Sequence, residues 1–599
     1  MIPRKIHFVY VSSPADGGLD FSFCYWVAVR SAIKSNPGYE VHLWYEHEPA
    51  SAYWDDLKKE IILHQIKAPE AIFGNPVPHY AHKADIVRLQ VLLEEGGIYL
   101  DLDTLTVRGF DPLLQHKVVM SIAKNAGRAF GLGNAVIMSE PSSAFLTRWY
   151  ESYKTFRSVG HDQYYDEHGA GHSFRLSQEL PDDITVLGDN AFLTPDMTPQ
   201  GLTRLFLVDG EYPDAFCHHL WGKNAHDVIE AMNEHNYEMY PGMYSRVLGQ
   251  RLVDDIRRLR QRKAKMADLV PVIPRNAEIP VASVHEMQVR LSNAVEGKTE
   301  AFRGRGIVMS VWDGDIANAW ILLSELSRLR VDLPIEIWAP RQELLPQHRN
   351  LLSRLHSRVT FHDLPDPVKQ YAIKPYAVYR SSFAQVLWLD NDCFPLRDPS
   401  FLFEDEEFQG KGSLFWRDVC GADRAHHWHI DAKIWKLYGM PYSDCEEFDV
   451  GQFLVDKDKR LPELLFTMYT NRNRHVYYRF CEERIAEKDT YRLAWQYLQY
   501  QRTGQLRSFG YLADPHYAAF GFMPYGPLHL GLPNPWHKWG GGSVMVQRDR
   551  QGKPLFNHRN LYKFALGEEP VYQPDIENES LYHLHYAHLR EAVGLPWKS

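Results

Sequence analysis

Two short acidic motifs with matching surroundings divide this chain of 599 residues. Each begins as an apolar run typical of a buried strand and ends in two carboxylates one residue apart: Tyr99-Leu100-Asp101-Leu102-Asp103 and Trp388-Leu389-Asp390-Asn391-Asp392. In both copies an arginine stands seven residues after the first aspartate, and an Asp-Pro pair comes next. One motif occurring twice in matched context predicts two similar domains.

The spacing of the two aspartates indicates their chemistry. Residues i and i+2 of a strand share one face, so both carboxylates can address one ligand cluster. Mn2+ and Mg2+ prefer oxygen ligands, and a site with one or two carboxylates leaves positions free for two phosphate oxygens. Such a metal assists departure of a nucleoside diphosphate as a Lewis acid. The motifs therefore predict two Mn2+ or Mg2+ sites that bind nucleotide-sugar donors.

The surrounding segments alternate between strand-like and helix-like patterns in both halves. Apolar residues recur at helical spacing before the first motif, and Gly96-Gly97 predicts the end of that helix. The same order restarts in the second half, which predicts an α/β fold with two tandem nucleotide-binding domains. The predicted elements are strands at 5–11, 40–45, 306–311, 335–338 and 386–389, and helices near 21–35, 81–95, 316–330 and after Lys374.

The predicted domain boundaries are 1–243 and 305–599, joined by a helical, Pro-containing linker at 244–304. Leu248, Leu252 and Ile256 form a helical stripe, and a basic run follows at 257–265. A basic amphipathic helix can rest on an anionic membrane, whereas such runs are more often solvated surface. Both interpretations remain open: a possible peripheral membrane contact near 257–265, or an ordinary exposed face.

Composition excludes some functional classes. A net charge of -10 argues against a nucleic-acid partner. The six cysteines stand far apart without paired spacing, which is typical of a reducing compartment. A strand begins almost at Met1, and no apolar stretch reaches about 18 residues. These features predict a cytoplasmic protein, and the basic run leaves open a peripheral place at a membrane surface.

The first half resembles glycosyltransferase family 32, whose members have the GT-A fold. The resemblance covers about residues 1 to 225 and is carried by Ile2 to Tyr10, the Ala84 to Arg88 helix and the Gly96 to Asp103 segment. It implies a base contact at Tyr10, donor-sugar contacts at Asp85, Arg88 and Asn134, a ribose and sugar contact at Asp101, and metal ligation at Asp103.

A late histidine normally completes such a site, and His218-His219 before Leu220-Trp221-Gly222 resembles that segment. His219 is the implied metal ligand. The chain departs from its relatives at Lys223-Asn224, where a Ser-Trp pair is common. Lys223 is expected to replace the missing diphosphate contacts electrostatically. The alternative is that both histidines are ordinary loop residues.

The second half resembles the α-mannosyltransferases of glycosyltransferase family 71, also GT-A enzymes. The resemblance covers about residues 305 to 565 and includes the Asp-Asn-Asp motif, Val450-Gly451-Gln452 and Lys488-Asp489-Thr490. It implies that Asp390 and Asp392 hold metal and diphosphate, that Lys374 faces the phosphates, that Gln452 and Asp489 line the sugar and acceptor pocket, and that His558 is the late metal ligand. Glu487 stands where the family has glycine.

Together these features predict a bifunctional, metal-dependent, retaining glycosyltransferase that acts on a glycan or glycolipid acceptor. The family 71 resemblance implies GDP-mannose as the second domain's donor. Three alternatives remain: a toxin-like protein glycosyltransferase, a metal-dependent phosphoesterase, and a scaffold in which one domain has lost activity.

Overall fold

The chain forms two compact units, Met1–Leu291 and Ser292–Ser599. The computed structural model describes residues 1–11, 20–260, 265–365, 372–417, 433–442, 448–480, 487–504, 521–522, 544–559, 563–573 and 576–595. The sequence analysis placed a linker at 244–304, but residues up to Leu291 belong to the first unit.

The first unit alternates short strands and helices. Its strands are β1 (Lys5–Tyr10), β2 (Glu40–Tyr45), β3 (Ile62–Gln65), β4 (Ala71–Ile72), β5 (Asn75–Pro76), β6 (Gly97–Leu100), β7 (Thr104–Thr106), β8 (Val118–Asn125), β9 (Arg128–Ser139), β10 (Thr185–Leu187) and β11 (Cys217–His219). Its helices are α1 (Phe23–Ser35), α2 (Ala52–Leu57), α3 (Tyr80–Glu95), α4 (Ala144–Ser152), α5 (His172–Glu179), α6 (Pro199–Phe206), α7 (His226–Ala231), α8 (Met243–Arg251) and α9 (Val253–Leu259), and α10 (Val281–Val295) crosses the boundary.

A seven-stranded sheet forms the centre of the first unit, in the order β10-β8-β9-β6-β1-β2-β3. Strands β6, β1, β2 and β3 run parallel, and β9 runs antiparallel to β6 and β8. The first acidic motif begins in β6 and continues past its carboxyl end. In open α/β sheets, ligands bind at that edge.

Two glycines turn the chain sharply from α3 into β6. Ile86, Leu89 and Leu92 are buried on the sheet side of α3. Gly96 has a φ of 66° and Gly97 a φ of 109°, and a Cβ at Gly97 would lie 2.7 Å from the carbonyl oxygen of Lys5. Only glycine fits this turn without strain. The predicted helix stop at these two residues is confirmed.

Residues 243 to 295 fold largely as helices. The predicted apolar stripe of Leu248, Leu252 and Ile256 is buried in the first unit. Within the described part of the basic run, Arg257 pairs with Asp254, Arg258 with Asp255, and Arg260 with Glu238. These arginines are thus partly neutralised by acids of their own unit, and residues 261–264 lie outside the described chain. The membrane contact stays a prediction.

Across the described ranges, no helix combines the length and apolarity needed to span a bilayer.

The second unit repeats the alternation. Its strands are β12 (Arg305–Ser310), β13 (Ile335–Pro340), β14 (Val359–Leu364), β15 (Gln385–Leu389), β16 (Cys393–Pro395), β17 (Ser413–Arg417), β18 (Phe448–Asp456), β19 (Gly521–Phe522), β20 (Met545–Arg548) and β21 (Pro554–His558). Its helices are α11 (Ile316–Arg328), α12 (Pro346–Ser353), α13 (Ile373–Arg380), α14 (Glu406–Lys411), α15 (Lys433–Tyr438), α16 (Lys457–Arg472), α17 (Arg474–Phe480), α18 (Glu487–Thr503) and α19 (Glu579–Ala592).

The central sheet of the second unit has the order β14-β13-β12-β15-β18-β17. Strands β14, β13, β12 and β15 run parallel, and β15, the motif strand, pairs antiparallel with β18. This order matches β3-β2-β1-β6-β9-β8 of the first unit strand for strand. The prediction of an α/β chain with two tandem GT-A-like domains is confirmed.

A second, smaller sheet follows each motif. In the first unit β7 pairs antiparallel with β11, which sets Thr104 opposite His219. In the second unit β16 pairs antiparallel with β21, which sets Cys393 opposite His558. In both cases the residue directly after the second aspartate faces the late histidine. The backbone register therefore brings each histidine to its acidic motif.

A buried ion pair holds the end of β21 against α19. Arg559 and Glu579 are each 1% exposed, with nitrogen and oxygen 2.6 Å apart. Arg559 also donates to the Val571 carbonyl oxygen, and its backbone N–H donates to the Asp392 carbonyl oxygen. This arginine thus joins the C-terminal helix to the strand that carries His558.

Removing the arginine should leave the buried Glu579 carboxylate with only the Gln573 backbone N–H and His583 as partners. We expect Arg559→Ala to lower the free energy of unfolding of the second unit by about 3–5 kcal/mol, which is the usual cost of breaking a buried pair. Urea denaturation of the full chain measures this. The matched control is Arg358→Ala, which breaks the exposed pair with Asp332 and should cost less than about 1 kcal/mol. Equal costs for the two variants would contradict the anchoring role.

Candidate active sites

The first site forms where β6 ends. Asp103 Oδ1 lies 3.1 Å from His219 Nε2, and Asp103 Oδ2 accepts a hydrogen bond of 2.6 Å from the Gly222 backbone N–H. A Cβ at Gly222 would lie 2.9 Å from that oxygen, so glycine allows the backbone to approach the carboxylate. Asp103 is therefore held between β11 and the loop after it.

A buried arginine organises the donor-sugar residues implied by the family 32 resemblance. Arg88, on α3, lies 3.2 Å from both Asp85 Oδ1 and Asp101 Oδ1. Its Nη1 also donates to the Asn134 carbonyl oxygen, while Asn134 Nδ2 donates to Asp85. Tyr99 donates its hydroxyl to Asp101 at 2.5 Å, beneath the guanidinium. The structure thus brings Asp85, Arg88, Asp101 and Asn134 together.

The two aspartates of this motif have opposite pKa shifts. Burial raises the pKa of Asp101, and Arg88 only partly opposes it. Burial also raises the pKa of Asp103, but His219 and the hydrogen bond from Gly222 lower it by more, so the net pKa shift is downward. Burial lowers the pKa of His219, and the neighbouring Asp103 raises it above its usual value. Asp103 and His219 therefore each favour the charged form of the other.

Two residues that were predicted to contact the donor in the first site, Tyr10 and Lys223, lie against aromatic rings. Tyr10 is 3% exposed and makes edge-to-face contacts with Phe21 and Tyr25, so its ring is packed inside the unit. Lys223 is exposed, and its ammonium lies 4.5 Å from the centre of the Tyr165 ring. The base contact of Tyr10 and the diphosphate contact of Lys223 stay predictions.

The second site forms in the same way at the end of β15. His558 Nε2 lies 3.7 Å from Asp392 Oδ1, and Lys563 Nζ lies 2.6 Å from Asp392 Oδ2. His558 Nδ1 lies 3.0 Å from Asp449 Oδ2. The predicted residues Asp390, Asp392 and His558 are thus brought together, with Asp449 behind the histidine.

Lys374 forms an ion pair with Asp390. Its ammonium is 3.0 Å from Asp390 Oδ1 and donates to the Val450 carbonyl oxygen at 2.9 Å. Trp388 donates its indole N–H to the same aspartate at 2.7 Å, below the ammonium. This repeats the arrangement of Arg88, Asp101 and Tyr99 in the first unit. The predicted phosphate contact of Lys374 therefore requires the ammonium to be shared with the first aspartate.

Gln452 and Asp489 are buried away from the cluster surface. Gln452 is fully buried and donates its side-chain amide to Asp449 at 3.0 Å. Asp489 is 4% exposed and accepts a hydrogen bond from Arg492 at 3.0 Å. In this structure both side chains support their neighbours, and their predicted roles in lining the sugar pocket stay predictions.

Sequence reasoning missed three residues of the second site: Asp449, Lys563 and Glu487. Asp449 and Lys563 follow no motif of their own, and Glu487 was noted only as a departure from glycine. Glu487 Oε2 lies 3.4 Å from Lys374 Nζ. Burial raises the pKa of Glu487 to about 7, and Lys374 opposes this shift. For Asp449 the sequence signal was its place directly before the Val450-Gly451-Gln452 segment that matches the family.

Both sites fit a divalent cation. In each, three ligand atoms from two aspartates and one histidine lie within 4.8 Å of one another. Carboxylate oxygens with a single imidazole suit Mn2+ or Mg2+ better than the thiolate and multi-histidine sets of structural zinc. In the first site Asp101, Asp103 and His219 would hold the ion, and in the second Asp390, Asp392 and His558.

His7, His42 and Glu95 form a third group with comparable spacing. His7 Nε2 donates to the Gly96 carbonyl oxygen, and His7 Nδ1 accepts from the Trp44 indole N–H. Both ring nitrogens are thus engaged within the protein, and Lys5 already pairs with Glu95. The described contacts of this group are hydrogen bonds and an ion pair between β1, β2 and the end of α3.

Comparisons with known proteins place relatives on both halves. Residues 26–120 match the model described as "Glycosyltransferase sugar-binding region containing DXD motif". Residues 304–529 match "Mannosyltransferase putative". These two ranges contain the first and second acidic motifs.

Individual relatives each match part of the chain. Glucan organizing enzyme 1 of Cryptococcus neoformans var. grubii is 32% identical over 204 residues, which are 33% of this chain and 55% of that protein. Alpha-1,2-mannosyltransferase MNN21 of Candida albicans is 26% identical over 205 residues, covering 25% of this chain and 31% of its own. A toxin of Photorhabdus asymbiotica is 32% identical over 172 residues, covering 24% of this chain and 6% of its own.

The chain therefore spans about half the length of the first relative and less of the other two. The resemblances predicted from the motifs are confirmed. Residues 26–120 match the glycosyltransferase sugar-binding region model and residues 304–529 match the mannosyltransferase model, so each half of the chain contains a stretch similar to glycosyltransferases.

Proposed function

We propose that the chain is a bifunctional, metal-dependent, retaining glycosyltransferase with two separate active sites. Each site takes a sugar from a nucleoside-diphosphate sugar and transfers it to a glycan or glycolipid acceptor. The observation that carries the proposal is the repeated cluster of two aspartates and one histidine, each with three ligand atoms within 4.8 Å.

The surroundings of the first aspartate support two working sites rather than one site and a scaffold. Each cluster keeps a cation from the preceding helix, Arg88 or Lys374, and an aromatic donor two residues upstream, Tyr99 or Trp388. Burying such charges is costly unless they are paired. The same buried arrangement at both motifs therefore supports two sites of the same kind.

Each residue has a defined task in the proposed transfer. The bound Mn2+ or Mg2+ supplies Lewis-acid stabilisation of the departing diphosphate. Arg88 and Lys374 fix the first aspartate of each motif, and Lys223 and Lys563 supply positive charge near the phosphates. In a retaining transfer, departure and attack occur on one sugar face, so the leaving phosphate can accept the acceptor's hydroxyl proton.

The donor of the second site is proposed to be GDP-mannose. Support comes from the mannosyltransferase match over residues 304–529 and from the named α-1,2-mannosyltransferase relative. Trp312, which follows β12 at the ligand-binding edge of the sheet, is 51% exposed and offers an open ring face for a nucleobase. In the first unit Tyr10 is packed inside, so the two sites are expected to contact the base differently.

A toxin-like transfer to protein is the second candidate, since one relative carries the name toxin. It shares the donor chemistry and differs only in the acceptor. Transfer of labelled sugar to protein substrates but to no glycan or glycolipid would favour it.

The two transfers should be independent, because each site draws all its described contacts from its own unit. We expect Asp103→Ala to abolish the first transfer by removing a metal ligand while leaving the second at its original rate. Asp392→Ala should do the reverse. Product analysis with radiolabelled donors measures both transfers. Loss of both activities in either folded single variant would contradict independence.

The donor of the second site can be identified with the Asp103→Ala variant, in which only the second site is expected to be active. GDP-mannose, UDP-galactose, UDP-glucose and UDP-N-acetylglucosamine are offered separately, and nucleoside diphosphate release is recorded. We expect release from GDP-mannose only, and its disappearance when Asp392→Ala is added. Turnover of a UDP-sugar instead would overturn the mannosyl assignment and leave the two-site transferase intact.

A further inference from the structure

A buried hydrogen-bond network holds the His558 side chain in place. Among the described residues, His219 has no equivalent network. Asp449 Oδ2 accepts from His558 Nδ1 at 3.0 Å, and Asp449 is 4% exposed. In the first unit, the Nδ1 of His219 is buried and has no hydrogen-bond partner among the described residues. The two late histidines therefore differ in what stands behind the ring.

Asp449 is itself fixed from three other directions. Its carboxylate accepts the Gly451 backbone N–H at 2.9 Å, the Gln452 side-chain amide at 3.0 Å and the Gln547 side-chain amide at 2.7 Å. These bonds come from β18 of the central sheet and from β20 of the smaller sheet. Strand β20 is the neighbour of β21, which carries His558. A carboxylate with this many donors cannot rotate freely, so the direction in which it holds the imidazole is set by the sheet.

Gly451 provides the room for the ring. A Cβ at this position would lie 2.2 Å from His558 Cε1, which is closer than any real contact. The Gly451 carbonyl oxygen also accepts the Asp390 backbone N–H at 2.7 Å. The Asp449 to Gln452 segment thus contacts both the first aspartate of the motif, Asp390, and the late histidine, His558.

We propose that Asp449 is a positioning residue for the second metal site. By accepting from Nδ1 it keeps the proton there and directs the Nε2 lone pair of His558 toward Asp392, 3.7 Å away. Carboxylate–histidine–metal arrangements of this kind orient the ring and increase its basicity as a ligand, and losing the outer carboxylate typically weakens metal binding about 10–100-fold. This inference rests on the proposed metal-dependent function.

The test measures Mn2+ affinity directly, by titrating the metal alone and following free Mn2+ by electron paramagnetic resonance. The full chain carries Asp103→Ala, so that only the second site is reported. Asp449→Ala should weaken Mn2+ binding about 10–100-fold. Asp449→Asn should weaken it less, because an amide oxygen still accepts from Nδ1. Gly451→Ala should weaken it as well, since the added methyl group displaces the same ring.

A double-mutant cycle with His558→Ala separates positioning from other roles. If Asp449 acts through His558, adding Asp449→Ala to His558→Ala should change Mn2+ affinity less than about twofold, because residues acting as one unit are non-additive. Full additivity would overturn the proposal, as would unchanged affinity in Asp449→Ala.

Two controls keep the result interpretable. Thermal denaturation of Asp449→Asn should stay near that of the parent, so a loss of affinity there reflects the site. The reciprocal chain with Asp392→Ala reports the first site, whose Mn2+ affinity Asp449→Ala should not alter. If the Asp103→Ala chain bound no Mn2+ that Asp392→Ala removes, the proposed metal-dependent function would fail, and this inference with it.

Discussion

The antiparallel pairing of one short strand with another, directly after each acidic motif, is the constraint on which both sites depend. The pairs β7 with β11 and β16 with β21 bring residues far apart in sequence to within reach of one metal ion. In both units the residue after the late histidine donates its backbone N–H to the carbonyl oxygen of the second aspartate. Because side chains alternate along a strand, a slip of one residue would turn the histidine away.

The same strand arrangement has a different cationic side chain beside the first aspartate of each motif. Arg88 contacts two carboxylates in the first unit, whereas Lys374 contacts Asp390 and Glu487 in the second. A guanidinium holds its partners in a fixed planar geometry, and an ammonium is a compact charge on a flexible stem. The two clusters are therefore built on one backbone arrangement but carry different polar side chains.

The strands, the helices before the motifs and the two acidic motifs could be predicted because periodic apolar patterns and paired acids are local signals. The roles of Asp449, Lys563 and Glu487 could not, since each depends on a contact made only by tertiary folding. The predicted linker differs from the observed unit boundary for the same reason. Leu248 and Ile256 form an apolar helical stripe in sequence, but the pattern does not show which domain buries it, and the structure places both residues in the core of the first unit.

The central claim is that each motif and its late histidine bind one divalent cation. Anomalous diffraction at the manganese edge, from crystals of the full chain soaked in Mn2+, tests it most directly. The account predicts one peak bounded by Asp101, Asp103 and His219 and a second bounded by Asp390, Asp392 and His558. A single peak, or manganese bound elsewhere with neither histidine as a ligand, would contradict it.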